Sequence, residues 1–106
     1  MSPLDTLVGI YMVIHALALM SARRLSDALI YLRKTVQSHP DFLGQYGGLI
    51  SCCGHLGLIE EAQMYLRRRN KITNTPYSVS QTRREMSCFA HADVFVEGLS
   101  KAGVPE

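Results

Sequence analysis

Residues 7–20 are apolar except for His15, whereas the segments after them mix apolar and charged positions at helical spacing. The first pattern predicts a helix over residues 4–20. A helix apolar on almost every side needs neighbours on more than one face. Ser2 can cap it, Pro3 suits the first helical position, and Asp5 sits in the first turn, where the dipole favours a carboxylate. A polar break at residues 21–24 ends it. A second helix is predicted over residues 25–39, with Ala28, Leu29, Leu32 and Val36 buried and Arg33, Lys34 and Gln37 outward. Pro40 stops it, because the residue before a proline avoids the helical region. A third helix is predicted over residues 41–56, closed by Gly57. The fourth, over residues 59–71, carries Glu60 and Glu61 in its first turn and Arg67, Arg68, Arg69 and Lys71 in its last. That is the charge order a helix dipole prefers. After a loop at Asn74, Pro76 and Ser78, a short polar helix is predicted over residues 80–86. An amphipathic one follows over residues 91–101, stopped by Gly103 and Pro105. Phe89, Val94, Phe95, Val96 and Leu99 supply the apolar content there. No segment alternates with period two, so the expected fold class is all-α.

Displaced by 34 residues, the sequence matches itself. Leu25 falls on Ile59, Asp27 on Glu61 and Ala28 on Ala62, and SDALIYLRK aligns with EEAQMYLRR. Two helices joined by a short turn, repeated at this period, are the signature of a helix–turn–helix solenoid. On these residues the chain resembles the tetratricopeptide (TPR) family over about residues 8–76. The family's small residue at the closest helix approach matches Ala28 and Ala62, and its large apolar residue one turn later matches Leu32 and Leu66. Its closing proline matches Pro40, its turn glycine Gly57 and its first-helix apolar position Leu49. Departures are Arg23 for the turn glycine and His15 for the apolar position in the first copy, and Asn74 for the closing proline in the second. The family's aromatic position holds Leu19 and Cys53. The resemblance implies a TPR-like α-solenoid of two repeats, about residues 1–40 and 41–76, with residues 77–106 as a C-terminal helical cap. The ending VFVEGLSKAGVPE is similar to the C-terminus of bacterial proteins that carry a repeat array behind a class III adenylate cyclase domain. That likeness implies a regulatory, non-catalytic block of a signalling protein, serving protein–protein interaction or self-association.

Length agrees with a part of an assembly. The chain of 106 residues is one small domain, well short of a TIM barrel of about 250 residues. An apolar content of 47% excludes a disordered tail. A formal charge of +2 implies no global attraction to nucleic acid or membrane. The apolar run at residues 7–20 is shorter than the roughly 20 residues of a membrane span, and no signal peptide is visible. Cys52, Cys53 and Cys88 are odd in number and two are adjacent, a poor geometry for a structural disulfide. Reduced thiols and a cytoplasmic location are therefore expected.

The resemblance also places a partner groove along the first helix of each repeat. In copy one it holds Ile10, Val13, Leu17 and Met20, and in copy two Gly44, Gly47, Ser51, Gly54 and His55. One strip is apolar and the other nearly bare of side chains, which lets another helix approach closely. Two occupants fit: an apolar helix from a partner or a second copy, or the chain's own C-terminal helix through Phe95 and Leu99. A homodimer through the first helix or this groove is the expected assembly, because short solenoids leave apolar faces uncovered. The run Arg67–Lys71 offers an alternative, a helical nucleic-acid-binding surface, but Glu60 and Glu61 share its helix and the run suits the helix end, so no nucleic acid is expected. Cys52, Cys53 and His55 lack the CxxC or HxxxH spacing of zinc sites, so they are read as small packed residues and no metal or cofactor is expected. His15 is read as a packed histidine with one hydrogen bond, and no catalytic nucleophile motif is present.

Overall fold

The structure, a computed structural model, describes residues 3–87 and 92–106, with side chains from residue 10 onward. Expectations resting on Ser2, Cys88, Phe89 and His91 fall outside the described residues, and Asp5 is described in its backbone alone, in the first turn of α1. The described helices are α1 (Pro3–Ser21), α2 (Leu25–Ser38), α3 (Gly44–His55), α4 (Ile59–Ile72), α5 (Val79–Glu85) and α6 (Ala92–Lys101). Among the described residues there is no strand, and no helix is long and apolar enough to cross a membrane.

The 34-residue sequence offset is carried into backbone geometry. At the end of α1, Arg23 N–H donates to the Met20 carbonyl and Arg24 N–H to that of Leu19. At the end of α3, Gly57 N–H donates to Gly54 and Leu58 N–H to Cys53, the same pattern one repeat later. Both are helix stops that need a left-handed residue at the turn. Gly57 adopts it at φ 76°, and Arg23 is forced into it at φ 61°. Arg23 is thus a non-glycine residue in a glycine position, which costs about 1 kcal/mol.

Side chains move two boundaries. α3 starts at Gly44 and not at residue 41. The Tyr46 hydroxyl donates to the Pro40 carbonyl at 2.5 Å, and Gln45 Nε2 donates to that of His39 at 2.6 Å. Carbonyls held by side chains hold residues 40–43 as a turn. α5 runs from Val79 because the Ser78 hydroxyl caps it, accepting from Gln81 N–H at 3.1 Å.

α3 forms the centre, packed by α1, α2, α4 and, most extensively, α6. Tyr46, Leu49 and Ile50 from α3, Met20 from α1, Leu32 from α2 and Leu99 from α6 are fully buried around it. Ala28 and Ala62 are fully buried, as expected for the small residues of each second helix. Leu66 is half-buried against the core. Across the far side of α3, Arg33 of α2 makes a bidentate ion pair with Glu61 of α4 at 2.6 and 2.9 Å. The Arg33 hydrogen bonds hold the Glu61 carboxyl below the usual carboxylate range. Two expectations for α1 are corrected. Met20 is buried in the core and lines no open strip. His15 is exposed: its ring rests on the Tyr31 ring of α2, with centroids 4.6 Å apart, at the edge of the α1–α2 contact and outside the core.

Candidate functional site

The expected groove divides into a filled half and an open half. Gly47, Ser51 and Gly54 are buried beneath α6. A Cβ on Gly54 would overlap the Gly98 carbonyl, and one on Gly98 would overlap Ser51. The two backbones therefore meet with no side chain between them, an approach that only glycine pairs permit. The Ser51 hydroxyl donates to the Phe95 carbonyl at 2.7 Å, and His55 Nε2 to the Val94 carbonyl at 2.6 Å. Gln63 Nε2 of α4 holds the end of α6 through the Ala102 carbonyl at 2.7 Å. Of the two occupants the sequence allowed for this strip, the chain's own C-terminal helix is the one present. Gly44 stays exposed at the start of α3, beside the Phe42 ring.

Val13 and Leu17 are half-buried and turn toward a cavity of about 360 Å³ between α1, α3 and α5. Its far wall is Tyr77, whose hydroxyl a Cβ on Gly47 would approach to 2.5 Å. The Arg69 guanidinium lies 4.1 Å from the Tyr77 ring centroid and donates to the Thr75 carbonyl at 2.9 Å. Stacking of this kind suits a guanidinium, which is planar and weakly hydrated. Arg69 is thereby withdrawn from the basic run. Arg67, Arg68 and Lys71 stay exposed on a helix that also exposes Glu60.

The two described cysteines are not poised for chemistry. Cys52 and Cys53 are fully buried, and burial pushes their thiols up to about 12. A thiol held neutral by burial is a poor nucleophile at neutral pH.

The open half is wider than the sequence indicated. Ile10 is 44% exposed, Ile14 56% and Tyr11 73%, and Ala18 and Ala22 are exposed as well. The repeat offset explains why. Tyr11, Ile14 and Ala18 correspond to Gln45, Gly48 and Cys52 of α3, all three buried. In α3 that face lies against α2: a Cβ on Gly48 would come within 2.9 Å of a Leu32 methyl. No described element covers the same face of α1. Sequence reasoning followed Ile10, Val13, Leu17 and Met20 and missed Tyr11, Ile14 and Ala18. The signal for them was the offset itself, applied to the helix wheel. Between residues 6 and 22 α1 has no Asp, Glu, Lys or Arg. A helix face that ends in solvent normally carries such groups. No family model matches the chain, and no curated protein or solved structure is significantly similar to it.

Proposed function

We propose that the chain is a non-catalytic protein–protein interaction module of TPR-like build, which receives an apolar helix on the open face of α1. One observation carries this. The face made by Tyr11, Ile14 and Ala18 is uncovered, while its repeat equivalent in α3 is buried against a neighbouring helix. The largest exposed apolar patch on a soluble protein is often a functional surface. The repeated turn geometry at Arg23 and Gly57 supports the two-repeat solenoid, and α6 with the tail acts as its cap. The filled groove shifts the interaction site away from Gly47, Ser51, Gly54 and His55 to the N-terminal edge. The likeness of the tail to bacterial cyclase-associated repeat proteins supports a regulatory role in a signalling protein of the cytoplasm.

The test is photo-crosslinking from a benzophenone residue placed at Tyr11 in the source cells, with Lys34 as an exposed control on α2. Product from position 11 and none from position 34 is the expected result. Equal product from both, or none from either, contradicts the proposal.

A further inference from the structure

The geometry points to a second copy of this chain as the occupant of that face, with two α1 helices packed antiparallel about a two-fold axis near residue 16. The inference rests on the interaction reading above and names its partner. Ile10, Ile14 and Ala18 recur every fourth residue along α1, Ala22 follows at the same spacing in the turn just past its end, with its N–H bonded to the Ala18 carbonyl, and all four are exposed, so they form one ridge. Ridges of that spacing are the elements that interdigitate in the commonest class of helix crossing. The N-terminal half of the ridge is large and the C-terminal half small. An antiparallel partner places Ile14 on Ala18 of the other copy and Ile10 on Ala22, and the two-fold repeats both contacts. A parallel partner would stack isoleucine on isoleucine and leave the alanines facing a gap.

Other occupants fit less well. A helix of the α2 kind presents a leucine at its closest approach, and α3 admits Leu32 only because residue 48 is glycine. Ile14 stands at the equivalent place in α1 and fills that space. Head-to-tail stacking of copies would set the apolar α1 face against α4, which presents Arg67, Arg68 and Lys71. Burying unpaired charges there is costly, so the contact closes as a dimer and does not propagate. Each copy contributes about 400 Å² of exposed apolar side chain, chiefly from Ile10, Tyr11 and Ile14. The pair then buries on the order of 800 Å², below the usual 1,200–2,000 Å² of a stable complex. The dimer is therefore expected to be weak and reversible, its population rising with protein concentration.

Disulfide trapping in a Cys88→Ser background tests the arrangement, since the remaining Cys52 and Cys53 are buried. Chains carrying Ile14→Cys and chains carrying Ala18→Cys are oxidised separately and as a mixture, alongside sedimentation equilibrium of the unmodified protein. The expected result is a mixed disulfide dimer from the mixture, little from either variant alone, and concentration-dependent mass in the unmodified protein. Disulfides from each variant alone mean parallel pairing and overturn the proposal. A protein that stays monomeric at several hundred micromolar, with no trapped dimer, overturns it too. If the Tyr11 photo-crosslink then captures a different protein, the interaction reading survives and the second copy does not.

Discussion

Gly54→Ala separates a groove filled by α6 from an empty one by the sign of its effect. On a helix with open space beside it, glycine to alanine stabilises by about 1 kcal/mol through backbone entropy. Here the new methyl would overlap the Gly98 carbonyl and come within 2.9 Å of the Ala102 nitrogen. Both atoms belong to backbone, so no rotamer change relieves the clash, and α3 and α6 must part. Overpacking of this sort costs about 1–3 kcal/mol. Separation also weakens the bonds from Ser51 to Phe95 and from His55 to Val94, each worth about 1 kcal/mol. After the propensity gain is subtracted, the variant is less stable by about 2–3 kcal/mol, a fall of roughly 10–15 °C in Tm for a domain of this size. Urea unfolding followed by circular dichroism measures it. Gly44→Ala serves as the control, because its Cβ meets only the movable Phe42 ring at 3.3 Å. A Gly54→Ala protein as stable as the parent, or more stable, would refute the close approach of α6.

Arg23→Gly removes the left-handed strain at the α1–α2 turn and raises stability by about 0.5–1 kcal/mol in urea unfolding, while Gly57→Ala at the equivalent turn lowers it by about 1 kcal/mol. The two changes having the same sign would contradict the structural equivalence of the turns. Because the folded pKa of Glu61 is depressed, the Arg33 pair contributes its stability fully above the unfolded carboxyl value of about 4.3 and loses it as pH falls through the folded value. The Arg33 side chain is 41% exposed, so solvent screening limits the contribution to about 1 kcal/mol. Unfolding at pH 6 and at pH 3 should therefore differ less in Glu61→Gln than in the parent, and an unchanged difference would remove Glu61 from the acid response. Cys52 and Cys53, held as neutral buried thiols, should resist Ellman's reagent at pH 8 until denaturant is added. Prompt reaction of either in the native protein would show that the α3 core opens readily.

Helices α2 and α4 were legible to within a residue, because Ala28–Leu32 and Ala62–Leu66 set a clear period and charge order marked the ends of α4. The start of α3 was not, since Tyr46 and Gln45 reach back to hold Pro40 and His39. Such long-range side-chain bonds leave no local periodic signal. The small residues Gly47, Ser51 and Gly54 announced a close helix approach but not which helix, because bare backbone accepts any partner. Gly98 in α6 and Ala102 just past its end were the matching half of that signal. His15 was misplaced because its apolar neighbours suggest burial, whereas packing sets it at the exposed edge of the α1–α2 contact, on the Tyr31 ring.

Two closures are at stake: α6 fills the groove within the chain, and a second chain is proposed to cover α1. Amide hydrogen exchange followed by mass spectrometry over a range of protein concentrations tests both halves at once. Residues 94–102 should stay protected at every concentration, and protection of residues 10–18 should rise with concentration. Fast exchange in residues 94–102, or protection of residues 10–18 that ignores concentration, would contradict the corresponding closure.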